Sequence, residues 1–139
     1  MQALLLVRVV VPYARERIRS VTAHGQRVVK HSCGNNRALL PLFLEAGYPS
    51  YQSIQASAGM DLEEVRRAVG PDMVLWGNVP LEVLQLGTPD DVRKAVRRTV
   101  EKGKRVGRYI FGSSHSIAVG TPYDNFLAMA DEFVKVRDY

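Results

Sequence analysis

Residues 27–47 read RVVKHSCGNNRALLPLFLEAG, and their reading decides the fold. "RVVKHS" is a short run rich in strand-forming residues. "RALLPLFLEAG" has the apolar stripe of a helix and ends on Gly47, a residue suited to a helix stop. Pro41 inside it predicts a kink, or a helix that begins late. A strand passing through "CGNN" into a helix is one βα unit.

The same unit recurs on either side. "YARERIRSVTAHG" precedes it as a helix stopped by Gly25. Downstream, "YQSIQA" predicts a second strand, and "AGMDLEEVRRAVGPD" a helix with Asp61 and Glu64 at capping-box spacing and a Gly70-Pro71 stop. "MVLWGN" is the third strand, and a short turn is expected over "PLEVLQLG". In "TPDDVRKAVRRTVEKGK", Thr88 suits the N-cap, Pro89 the first helical position, and Asp90 and Asp91 the positive end of the helix dipole. "RYIFGSS" is the fourth strand. "TPYDNFLAMADEFVKV" repeats the Thr-Pro start, with Thr121 expected at the N-cap and Asp124 three residues on.

Four strands, each followed by a helix, predict an α/β fold with a parallel sheet and crossover helices. Ligands in such folds sit at the C-terminal ends of the strands. Here those ends carry His31-Ser32-Cys33-Gly34, Gln55 to Asp61, Trp76-Gly77-Asn78 and Ser113-Ser114-His115. Polar and small residues gather at one rim while the strand bodies stay apolar.

Composition bounds the function. The 139 residues are 46% hydrophobic and 24% charged, an ordinary globular balance sufficient for one modest core. The opening "MQALLLVRVVV" is too short to span a bilayer and lacks a signal-peptide cleavage site, so it is expected to be structural. One cysteine cannot form an internal disulfide, and a cytoplasmic location is the default. The net charge of +5 suits an anionic ligand. Its basic residues are spread along helical segments without aromatic interleaving, so nucleic acid is not an expected partner. No P-loop, G-x-G-x-x-G or G-x-S-x-G is present, which leaves dinucleotide binding and serine hydrolysis without support.

Each rim residue has two readings. His31 and Cys33 are two positions apart, so in an extended strand they share a face and can ligate zinc together. A third ligand must come from elsewhere, and His115 at the last strand end is the natural candidate. The plain alternative is a buried thiol beside an ordinary strand-end histidine. His115 can donate a proton, ligate, contact an anion or tie down its loop. Asp61 can be only a helix cap. Trp76 reads as wall packing, Asn78 as a loop anchor or a ligand contact, and His24 as a helix-end cation.

Taken together, "HSCGNN", "IQASAGMDLEEVRRAVGPDMVLWGNV", "LGTPDDV" and "YIFGSSHSIAVGTPYDNFLAM" resemble the C-terminal half of the uroporphyrinogen decarboxylase superfamily. That group includes the decarboxylase of haem synthesis and the corrinoid-dependent zinc methyltransferases. The resemblance runs from about Pro12 to the C-terminus. It implies that residues 1–139 are a single partial domain, four βα units forming half of a TIM (β/α)8 barrel. It also implies a fragment or half-barrel that self-associates or needs a partner chain to close its open edges.

The resemblance implies two chemistries. In the methyltransferases a His-x-Cys pair and a later cysteine hold zinc; His31 and Cys33 fall on the pair, and His115 falls near the later cysteine. The expected metal set is therefore His31, Cys33 and His115, serving methyl transfer between a corrinoid and a small thiol. The decarboxylase branch needs no metal, and there His115 would contact a carboxylate of a tetrapyrrole. The first half of the barrel, with the arginines and aspartate that hold the tetrapyrrole, is not matched. Asp61 and His115 are the expected catalytic groups, and Gln55, Asn78, Ser114 and His115 the expected substrate contacts. A non-catalytic half-barrel that matters only in assembly is the third reading.

Overall fold

A computed structural model describes residues 6–138 of the chain. The expectation for "MQALLLVRVVV" falls partly outside these residues; its described part, Leu6–Val10, is a π-helical turn running into the first α-helix. The four strands are β1 (Lys30–Ser32), β2 (Ser50–Ser53), β3 (Val74–Val79) and β4 (Tyr109–Ser113). They form one parallel sheet in the order β1-β2-β3-β4. Strand order equals chain order, as right-handed βαβ crossovers produce when units are laid side by side. The parallel α/β fold expected from the alternation is therefore present, and it is consistent with the partial TIM barrel that the resemblance implied. Among the described residues no helix is long and apolar enough to cross a membrane.

Among the described residues six α-helices accompany the sheet: α1 (Val11–Ala23), α2 (Leu40–Ala46), α3 (Leu62–Val69), α4 (Leu81–Leu86), α5 (Pro89–Val106) and α6 (Tyr123–Val136). α2 begins late, after a 3-10 turn at Arg37–Leu39, and Pro41 occupies its first turn, where a missing N–H costs nothing. Asp61 caps α3 through the Glu63 and Glu64 amides, but Glu64 turns its carboxylate to Arg37 rather than completing a capping box.

Two expectations are corrected. "PLEVLQLG" is a helical turn-and-a-half, α4, nucleated after Pro80 and held by the fully buried Leu84. Thr121 does not cap α6. Pro122 sits at the N-cap, its carbonyl takes the Asn125 and Phe126 amides, and the buried Thr121 hydroxyl has no partner. Thr88, in the same Thr-Pro context, does form a full capping box with Asp91.

The sheet has a covered and an open face. Tyr51, Leu75 and Val79 are fully buried beneath the helices. α5 contributes Val92, Ala95, Val96, Thr99, Val100 and Gly103 at helical spacing. On the other face, His31, Gln52, Trp76 and Ile110 stand side by side in register across all four strands. Ile110 is 47% exposed there and Val29 41%, large values for apolar residues on a parallel sheet, which is normally covered on both faces.

Candidate functional site

The loop after β1 is built around Asn36. Its side chain is buried and its Nδ2 donates to the carbonyls of Ser32, Cys33 and Gly34 at 3.0, 3.0 and 3.1 Å. Ser32 Oγ donates back to Asn36 Oδ1 at 3.0 Å. Tyr51 rises from β2 beneath the loop, accepting from Asn36 and donating to the Ser32 carbonyl, each at 3.1 Å. Burial pushes the Tyr51 phenol above its ordinary pKa; the Asn36 bond opposes this and the nearby Cys33 thiol adds to it. The loop's carbonyls are thereby consumed internally, and His31 and Cys33 are left facing outward.

His31, Cys33 and His115 come together. Each offers one ligand atom, these atoms lie within 4.8 Å of one another, and all three residues are exposed. Cys33 Sγ is 3.3 Å from His31 Nε2, and the His31 and His115 rings meet edge to face with centroids 5.4 Å apart. The first and last strands of a flat four-stranded sheet lie about 14 Å apart at the usual spacing. His115 lies two residues beyond β4, so the rim loop and the two side chains together close that distance to the ring contact.

Neighbouring side chains hold the cluster. His31 Nδ1 is bonded to Gln52 Oε1, and Gln52 Nε2 donates to the Ser113 carbonyl at 3.3 Å. Ser53 Oγ donates to Cys33 Sγ at 3.4 Å. Ser113 Oγ donates to the His115 carbonyl, tying that residue to the end of β4. Gln52 and Ser53 were not singled out by the sequence. Their only signal is that two polar residues interrupt a strand, in register with His31 and Ser32.

The other expected site residues are placed elsewhere. Gln55 Oε1 accepts from Gly34 N at 2.8 Å and its Nε2 donates to Ser57 at 3.0 Å, joining the first two rim loops. Asn78 is buried and donates to the Ile54 carbonyl at 2.9 Å; it holds a turn in which Ser53 and Ile54 both adopt positive φ. Ser114 is buried, accepts from Leu81 N at 3.3 Å, and joins β4 to α4. Asp61 caps α3 and pairs with Lys102, lining a cleft of about 270 Å³ with Asn78, Thr99 and Arg98. Burial raises its pKa, but Lys102 and two backbone amides outweigh that and hold it below the ordinary carboxylate range. The structure does not bring Asp61 to the histidine–cysteine cluster.

The donor set suits zinc. Bonds of about 2.0–2.3 Å in a tetrahedral site separate ligand atoms by roughly 3.3–3.8 Å, and the His31–Cys33 pair already has that spacing. A zinc ion held by these three exposed donors would keep a fourth coordination position open.

A parallel α/β sheet with its donors at the C-terminal rim is the layout of barrel enzymes. The family model described as uroporphyrinogen decarboxylase (URO-D) matches residues 5–136. The chain belongs to that family. It is similar to a chloroplastic uroporphyrinogen decarboxylase of Nicotiana tabacum, 36% identical over 67 residues, covering 48% of this chain and 17% of that protein. A uroporphyrinogen decarboxylase of Crocosphaera subtropica is 38% identical over 66 residues, 48% of this chain and 18% of that protein. One of Gloeobacter violaceus is 30% identical over 119 residues, 82% of this chain and 32% of that protein. The matched region thus spans a third or less of the length of these relatives.

Proposed function

We propose that His31, Cys33 and His115 form a zinc site, and that the barrel to which these four βα units contribute uses it for methyl transfer from a corrinoid to a thiol. The observation behind this reading is the convergence of two imidazoles and a thiol within 4.8 Å at the rim. Zinc held there would supply the positive charge that lets a substrate thiol lose its proton and act as a nucleophile at neutral pH. Cys33 gives up its proton when it ligates, and Ser53 donates a hydrogen bond to the resulting sulfur. His115, anchored through Ser113, is the third ligand. The facing wall of the pocket would come from the strands that close the barrel.

Zinc stoichiometry in the purified chain, beside Cys33→Ser, tests this. Near one zinc per chain, lost in the variant, supports it. Absence of zinc at saturating concentration overturns it.

A second reading is decarboxylation of uroporphyrinogen, with His115 contacting a substrate carboxylate. The names of the similar proteins favour it, at 30–38% identity. Saturable binding of a uroporphyrin without zinc, weakened by His115→Ala, supports this reading. Binding of neither zinc nor tetrapyrrole supports the assembly-only alternative.

A further inference from the structure

We infer that Gln52 is the positioning residue of this rim: it holds His31 in the Nδ1–H tautomer and so aims the Nε2 lone pair at the cluster. The argument begins at Ser113. Its backbone carbonyl can only accept, so the Gln52 atom facing it at 3.3 Å is the amide nitrogen. The other end of that amide, Oε1, therefore faces His31. An amide oxygen can only accept, so Nδ1 carries the proton. In a neutral imidazole the second nitrogen is then bare.

That bare Nε2 faces Cys33 Sγ at 3.3 Å, and the thiol in turn accepts from Ser53 Oγ at 3.4 Å. The donors run one way: Ser53 to Cys33, Cys33 to His31, His31 to Gln52, Gln52 to the Ser113 carbonyl. Such a chain polarises each successive bond in the same sense. It also links β1 through β2 to the end of β4. A Cβ at Gly77 would lie 2.7 Å from the Ser53 carbonyl oxygen and 3.8 Å from that of Ser113. A side chain at Gly77 would therefore press on the backbone of β2, the strand that carries Gln52.

The orientation of a ligating histidine is normally set by the partner of its other nitrogen. Gln52 has that place here, and because Ser113 precedes His115 by two residues, the same amide also fixes the distance between the two histidines. The positioning role rests on the zinc reading; the tautomer does not.

The test is long-range 1H–15N NMR of His31 in the full chain without metal, at a pH about two units above the ordinary histidine pKa of about 6.5. Variants Gln52→Leu and Gln52→Glu accompany it. The native chain is expected to show the Nδ1–H tautomer, Gln52→Leu to shift toward Nε2–H, and Gln52→Glu, which keeps an acceptor, to retain the native form. Zinc affinity is expected to fall about 10–100-fold in Gln52→Leu and to be largely restored in Gln52→Glu. A native chain in the Nε2–H form overturns the inference without any variant. So does Gln52→Leu with an unchanged tautomer. If the native chain binds no zinc, the zinc reading fails, and the tautomer measurement alone decides this inference.

Discussion

Asn36 and Tyr51 meet beneath the rim, 15 residues apart in the chain and 3.1 Å apart between Nδ2 and the phenolic oxygen. Between them they bind three consecutive carbonyls of the loop that carries Cys33. Removing the amide leaves the phenol and those carbonyls short of a donor in a buried place. Asn36→Ala is therefore expected to cost about 1–3 kcal/mol and to weaken zinc binding as the Cys33 loop loosens. Urea unfolding and a zinc competition assay check both halves. A variant as stable as the native chain would sink the anchoring role.

Zinc that binds only the folded chain must stabilise it. At a free concentration of about 100 times the dissociation constant, the gain is about 2.7 kcal/mol. Thermal melts with zinc and with chelator should differ for the native chain and coincide for His115→Ala. A zinc shift that survives in His115→Ala would place the metal elsewhere.

Asp61 is held by two backbone amides and Lys102. Replacing it with Ala removes the cap of α3, at a cost of about 1 kcal/mol, whereas Asn is an equally good N-cap. Its folded pKa lies below the ordinary 3.8, so its stabilisation is present above that pH and is lost as pH falls through the folded value. Asp61→Asn should therefore lose stability only through Lys102, and the deficit should shrink in acid. A deficit that does not change with pH would deny the ion pair any role.

Glu132 is 2% exposed on α6 and accepts from Arg97 of α5 at 2.5 Å. That bond, opposed by burial and aided by the Arg97 charge and Lys135, holds its pKa below the ordinary 4.5. The stability it lends is complete above 4.5 and vanishes as pH drops through the folded value. Denaturant titrations near neutral pH should show Glu132→Gln weaker than the native chain, and titrations well below 4.5 should bring the two together. Equal stability at neutral pH would remove the pair from the account of helix docking.

Gly103 faces Tyr109 across α5 and β4. An alanine Cβ would lie 2.2 Å from the ring, and the ring is fixed by its hydroxyl bond to the Gly77 carbonyl. The helix-propensity gain of Gly→Ala, about 1 kcal/mol, is outweighed by overpacking of about 1–3 kcal/mol. Gly103→Ala should lower the melting temperature. A rise would mean that the ring moves aside freely.

The features that were legible in the sequence are those with local causes. Strand and helix periodicity, the Gly47 stop and the Thr88 N-cap each depend on a few neighbouring residues. His31 and Cys33 are two positions apart, and the parallel order was enough to bring His115 toward them. Gln52 was not legible because its role depends on register: only pairing with His31 gives its amide a purpose. Asn36 was hidden for a similar reason, since its partner Tyr51 belongs to the next unit. The contrast between Thr88 and Thr121 shows the limit of a local rule, for the same Thr-Pro pair caps one helix and stands outside the other.

The contact between His31 and His115 also makes them a gauge of the sheet's shape. His31 stands on the first strand and His115 two residues beyond the end of the last, and their ring centroids are 5.4 Å apart. A strand added beside β1 or β4, the two outer strands, is expected to shift that end of the sheet and move one imidazole against the other. Ring-current shifts of these two residues therefore report assembly of the barrel wall directly, before any metal is added and without a label.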